Sequence, residues 1–295
     1  DRSMMKKIIL LFAFIGLTAC SSTPTKEKSS PSPSTSSSAS TTSVGKVTEA
    51  PAIEEEGKTS SSDVVEKPKA SVVPAQYAAL NEGIKSQSDE KIYSAATQIL
   101  AQSPSDVKAL NALAMYHYKK GRFDLSHFLL SKAIASSPRT AELYSNLGIV
   151  QLAQGERREA VKSFRKALDI DNDEPVAASN LGAIYVQDKD FAKAQVVLET
   201  AYRKGVRDAR VLNNYAIALT ANGKYDKAED LYKNILKENS NNKEAMFNYS
   251  VLLVERMGKF QEALEVLNRL KFVGGPADTR NKIIALENKA KAGLK

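Results

Sequence analysis

A self-similarity at a period of 34 residues constrains this chain more than any other feature, because such a period marks a stacked array of short helical units. Small residues recur at Ala114, Gly148, Gly182, Ala216 and Ser250, each 34 after the last. Twelve positions later stand Ser126, Ala160, Ala194 and Ala228, with Ala263 one place late. A third set, Ala133, Ala167 and Ala201, follows seven further on, with Ile235 in the fourth copy. Large apolar residues precede the first set at Leu113, Leu147, Leu181, Tyr215 and Tyr249. Gly121, Gly155 and Gly223 punctuate the units, aromatic residues stand nearby at Phe123, Phe191, Tyr225 and Phe260, and Pro104 and Pro138 close two units. The small residues predict close antiparallel packing. The first set lets one helix of a unit approach the other, and the later sets let the second helix meet the next unit. No unit can bury its apolar face alone, so stability is expected to come from nearest-neighbour stacking.

This pattern resembles the tetratricopeptide repeat over residues 107–273, as five units. The resemblance implies an all-α fold, a right-handed superhelical solenoid of antiparallel helix pairs. Residues 75–106 read as a degenerate first repeat, with Tyr77, Leu80, Tyr93, Ala96, Leu100 and Pro104 in place. The fifth unit carries one extra residue around Met257-Gly258. Residues 274–295 open on Gly274-Gly275-Pro276 and are expected to form a capping helix from about Thr279, with Asp278 as its N-cap. Ile283, Leu286, Ala290 and Leu294 would lie on its buried face, and Lys282, Lys289 and Lys291 on its solvated one.

The first residues have a different character. Met5-Lys6-Lys7 precedes the apolar run Ile8 to Leu17, which is far shorter than the ~20 residues of a membrane span and reads as the core of a signal peptide over residues 1–19. Asp1 to Ser3 lie upstream of the candidate start methionines. Leu17-Thr18-Ala19-Cys20 resembles the lipobox of bacterial lipoproteins. The resemblance implies cleavage before Cys20, a diacylglyceryl thioether on its sulfur and an acyl chain such as palmitate on its new amino group. Ser21 in that family favours delivery to the outer membrane. Residues 21–74 hold 22 Ser or Thr, six Pro and no aromatic residue. Such a segment cannot bury enough apolar surface to order itself, so residues 20–74 are expected to be a disordered tether with a span of roughly 40 Å. Glu54-Glu55-Glu56 within it reads as a solvating patch or a docking motif.

Composition and motifs argue against catalysis. The chain has one cysteine, two histidines and no tryptophan, which excludes a disulfide framework and a Cys-rich metal site. It has no nucleophile elbow, phosphate loop or metalloprotease motif. His117 and His127 fall at packing or surface positions of the first unit. Asp169-Ile170-Asp171-Asn172-Asp173 begins like a calcium loop, but Glu174 and Asn180 stand where that loop needs glycine and glutamate. No enzyme activity, metal or cofactor is expected.

The tetratricopeptide resemblance places a binding groove on the first helices of the units. Position six of each unit reads Ala112, Asn146, Asn180, Asn214 and Asn248; four asparagines at one spacing read either as the residue generic to tetratricopeptide repeats at that place or as an amide ladder able to hold an extended peptide backbone. Position five reads Asn111, Ser145, Ser179, Asn213 and Phe247. Arg157, Arg158, Lys162, Arg165 and Lys166 form a basic patch, either a solvated face or a contact for an anionic partner, with no aromatic interleaving of the kind nucleic acid needs. The combination of lipobox and repeat array resembles pilotins of type IV pili and gliding-motility lipoproteins. It implies a lipid-anchored adaptor on the periplasmic side of the outer membrane, binding a protein or peptide segment of a secretin or motility complex. The alternative is a scaffold for peptidoglycan enzymes or for outer-membrane protein assembly.

Overall fold

The computed structural model describes residues 74–295. The segment read as a signal peptide, Cys20 and the expected tether up to residue 73 lie outside them. Among the described residues are thirteen α-helices. They are α1 (Pro74–Lys85), α2 (Asp89–Gln102), α3 (Val107–Lys119), α4 (Phe123–Ser136), α5 (Ala141–Ala153), α6 (Arg157–Ile170), α7 (Pro175–Gln187), α8 (Phe191–Arg203), α9 (Ala209–Ala221), α10 (Tyr225–Glu238), α11 (Lys243–Leu252), α12 (Phe260–Val273) and α13 (Arg280–Gly293). Each odd-numbered helix up to α11 packs on the even one after it, each even one packs on the next odd one, and successive odd helices from α3 onward also touch. These are the contacts of a tetratricopeptide solenoid.

The turn inside each pair uses one backbone device. A residue with positive φ stands at Gln87, Gly121, Gly155, Lys189, Gly223 and Gly258, spaced by 34 until the last, which comes one residue late. Glycine takes this left-handed conformation without a Cβ penalty. Gln87 and Lys189 adopt it as well, so the stack imposes the turn even where the sequence carries no glycine. The late turn at Gly258 follows a π turn over Leu253–Met257, where the extra residue of the fifth unit is taken up.

The joints between units rest on a second recurring position. Asp106, Glu174, Asp208 and Asn242 each accept a hydrogen bond from the third backbone N–H of the following helix, at 2.9 Å for Asp106 and Asn242. Thr140 occupies the same repeat position and bonds Ser137 Oγ instead.

The small residues do what their spacing requires. A Cβ at Gly148 would lie 2.6 Å from Cε1 of Phe164, and one at Gly182 would lie 2.5 Å from Cδ2 of Leu198. The helices of units two and three therefore meet at glycine, with a bulky side chain of the second helix seated on the first. The apolar core forms two clusters that meet at α5. Leu143 and Val150 face the one built from α1 to α4, while Ala141 and Ile149 face the one that runs to α13.

Clusters of ion pairs tie neighbouring helices together. Glu229 on α10 accepts from Lys233 at 2.7 Å, from Lys259 at 2.7 Å and from the Tyr249 hydroxyl at 3.2 Å. Burial alone would raise the Glu229 carboxyl, but the hydrogen bonds from Lys233 and Lys259 outweigh it and hold the group below its ordinary value of 4.5. Hydrogen bonds from Lys119 and Lys120 likewise depress Asp89, and those from Lys271 and Lys291 depress Glu287. A carboxylate with a depressed folded-state pKa stabilises the fold above its unfolded value and loses that contribution as pH falls through the folded value. The melting temperature of the array is therefore expected to drop as pH falls below about 4.5. In Glu229→Gln that acid limb should be shallower; a profile with the wild-type slope would remove Glu229 from the account.

The last helix departs from the sequence expectation in two places. Helix α13 begins at Arg280 after Thr279, whose hydroxyl bonds Pro276 O at 2.6 Å; Asp278 sits at φ +59° and does not cap it. Ile283, Leu286 and Ala290 are buried as the spacing implies, but Leu294 is exposed, because the helix ends at Gly293.

Candidate functional site

Helices α3, α5, α7, α9 and α11 stand side by side, and their shared face carries the asparagine positions. The structure uses those asparagines unequally, and the residue at position five decides how. Where position five is asparagine, it reaches position six of the next unit. Asn146 donates Nδ2 to Asn111 Oδ1 at 2.8 Å, and Asn248 donates Nδ2 to Asn213 Oδ1 at 3.1 Å. Asn111 in turn donates to Glu142 Oε1 at 2.9 Å. Where position five is serine, the side chain is too short for this pairing. Ser145 donates to the buried Glu174 carboxylate at 2.6 Å, and Ser179 turns back to Pro175 O. Asn180 bonds Val176 O on its own helix at 2.8 Å.

The four amides thus do not form one open ladder. Asn146 is 0% exposed and Asn180 4%, and Asn111, Ser145 and Ser179 are buried with them. Asn111, Asn146 and Ser145 tie neighbouring units together, whereas Ser179 and Asn180 bond backbone carbonyls of their own helix. Asn146 Oδ1 lacks a hydrogen-bond partner and is buried at that joint. The sequence pattern showed the spacing of position six but not the dependence on position five that consumes two of its members.

The face opens at the fourth and fifth units. Asn213, Asn214, Ile217, Phe247, Asn248 and Val251 are all half-buried across α9 and α11. Asn214 follows Ser179 in the pairing scheme and makes no side-chain hydrogen bond among the described residues. At the edge, Arg210 is engaged by Asp208 at 3.3 Å, and Glu244 is exposed. Polar amides beside Ile217, Phe247 and Val251 provide both backbone hydrogen bonds and an apolar seat for a segment of chain. Asn214→Ala is expected to weaken a bound segment with little change in melting temperature. Asn146→Ala should instead lower stability by about 1 kcal/mol, the usual net worth of one such bond. Calorimetry on the two variants checks the division, and equal melting temperatures would contradict it.

Most of the remaining candidates are engaged in contacts within the array. His117 is buried beside Tyr93 and Tyr116, its Nδ1 has no partner, and burial, aided by the Arg122 charge, lowers its pKa. His127 lies 3.2 Å from Gln154 Oε1 through Nδ1. Among the described residues the two histidines belong to different contacts. Asp173 takes Arg203 and Lys204 as partners, so the calcium-like acidic run anchors the end of α8. In the basic patch, Arg157 pairs with Asp188 and Gln187, Lys162 with Glu159, and Arg165 holds the Tyr185 hydroxyl at 3.0 Å. Arg158 and Lys166 are exposed on the same helix. No group of histidine, cysteine and acidic side chains suited to a metal occurs among the described residues. No described helix is long and apolar enough to cross a membrane.

Family models of the tetratricopeptide repeat match residues 111–175, 151–216 and 219–274, together more than half of the chain. A TPR repeat-containing protein of Dictyostelium discoideum is 28% identical over 131 residues, which are 42% of this chain and 50% of that protein. The chain spans half the length of that curated relative. Among solved structures, YrrB, described as a TPR protein with an unusual peptide-binding site, aligns with a TM-score of 0.56 at 19% identity over 68% of this chain and 99% of its own. The Pseudomonas aeruginosa pilF protein aligns with a TM-score of 0.49 at 20% identity over 63% of this chain and 88% of its own, a likeness that carries no argument about pili.

Proposed function

The chain belongs to the tetratricopeptide-repeat family, and from that premise we propose that it is a non-enzymatic adaptor, lipid-anchored through Cys20 on the periplasmic side of the outer membrane. The family's arrays bind peptides or proteins. The observation that carries a binding role here is the half-open face of α9 and α11, with Asn214 unengaged beside Ile217, Phe247 and Val251. The lipobox-like Leu17-Thr18-Ala19-Cys20 and the Ser/Thr-rich tether support the anchored placement. The partner is a segment of an envelope machine of the pilus-secretin or gliding-motility class. A second reading, a scaffold for peptidoglycan enzymes or outer-membrane protein assembly, is favoured by the tether, whose reach suits the cell wall.

Two measurements test this. Cys20→Ser should move the protein out of the membrane fraction, and full retention there would remove the anchor. Cross-linked capture of the tagged native protein, in parallel with a bait carrying alanine at Asn213, Asn214 and Asn248, should recover a secretin or motility component that the mutant bait loses. Recovery of cell-wall enzymes instead would select the second reading. Partners that persist on the mutant bait would move the site off α9 and α11.

A further inference from the structure

The α12–α13 corner exposes an aromatic ring that the repeat does not call for. Phe272 is 92% exposed, and Ile284 beside the same turn is 47% exposed. The equivalent place in the four preceding units holds Ala135, Asp169, Arg203 and Lys237, all exposed and none of them large and apolar. Solvent-facing phenylalanine is unfavourable unless something covers it.

Charge indicates what does. Residues 269–295 carry Arg269, Lys271, Arg280, Lys282, Lys289, Lys291 and Lys295 against Asp278 and Glu287, a net +5 within a chain of net +8. Glu287 is consumed by Lys271 and Lys291, and Lys289 by Glu255. Arg280 and Lys282, exposed in the first turn of α13, have no carboxylate within ion-pair distance among the described residues. An exposed aromatic ring and an exposed aliphatic residue on the two helices that meet at this turn, with unpaired Arg280 one helical turn from Ile284, have the composition of an interfacial membrane contact, where apolar side chains enter the headgroup boundary and cations meet anionic lipid.

We propose that the α12–α13 corner, through Phe272, Ile284 and Arg280, docks on an anionic phospholipid surface. The contact does not require the lipid at Cys20. A tethered array would nonetheless meet the surface at high effective concentration, so a weak contact suffices to lay the array down on it. The amide face of α9 and α11 would then be presented at a defined orientation to the membrane.

The absence of tryptophan supplies the test. In the full chain with Cys20→Ser, Phe272→Trp places the single indole at the corner. Its emission should shift to the blue on adding vesicles of phosphatidylglycerol and phosphatidylcholine, and stay unchanged with phosphatidylcholine alone. Flotation with the anionic vesicles should fall at least about tenfold in Phe272→Ser and in Arg280→Glu. Phe128→Ser, which removes another exposed ring away from the corner, should not change it. Either of two results overturns the proposal: an indole that stays solvated on anionic vesicles, or a blue shift that appears without vesicles and grows with protein concentration. The second would assign the corner to self-association. Because the anchor is absent throughout, failure here leaves the Cys20 reading standing, and loss of the anchor leaves this one standing.

Discussion

Phe164→Ala is expected to cost about 3–5 kcal/mol of unfolding free energy, the range for removing a fully buried aromatic ring from a core. The ring is 0% exposed and sits over Gly148, where no Cβ intervenes. The alanine leaves a cavity that the glycine cannot fill. The consequence should extend beyond the local loss, because α5, which carries Gly148, is the helix where the two core clusters meet. Stability in such an array is a sum of unit and neighbour terms, so weakening the junction should separate the unfolding of the α1–α4 side from that of the rest. Urea denaturation followed by circular dichroism should show a broadened or two-step transition in place of the wild-type curve. A single sharp transition shifted by less than about 1 kcal/mol would mean that α5 does not couple the clusters.

Gly182→Leu is the second large effect, and it acts by excess. The first eleven residues of α7 are all buried, and the Cβ position of Gly182 already lies within 2.5 Å of the Leu198 side chain. Overpacking of this kind costs about 1–3 kcal/mol, and the four added carbons place this substitution at the upper end. The register makes a sharper prediction through the partner. Combining Gly182→Ala with Leu198→Ala should be less damaging than the sum of the two single changes, because the second opens the space the first invades. Additive melting-temperature shifts would show that the two side chains do not share that space.

The helices were legible because the repeat states its packing rule repeatedly. Ala114, Gly148, Gly182, Ala216 and Ser250 named the close-contact position, and each is buried. The turns were only partly legible. Gly121, Gly155 and Gly223 announced a left-handed residue, but Gln87 and Lys189 take the same conformation without any sequence signal. The joint position of Asp106, Thr140, Glu174, Asp208 and Asn242 was hidden by its varied chemistry, although four of the five cap the next helix with a side-chain oxygen. The unequal use of the asparagines was not legible, for a geometric reason. A period identifies which residues align, but not whether a longer or shorter neighbour at position five reaches them. Cys20 and the tether rest on the sequence alone. The exposure of Phe272 was legible only through the repeat register, in which the equivalent residues are Ala135, Asp169, Arg203 and Lys237, none of them large and apolar.

The π turn at Leu253–Met257 has a bearing on how an array like this one accommodates an added residue. A single inserted residue rotates everything after it in a helix by about 100°, which would turn the buried faces of later units to solvent. Here the displacement is confined to one widened turn, and Ala263, Leu267 and Leu270 re-enter the core on schedule. The extra residue at the end of this first helix is therefore absorbed where it occurs, and the spacing that governs the helix after it is left as it is in the other repeats.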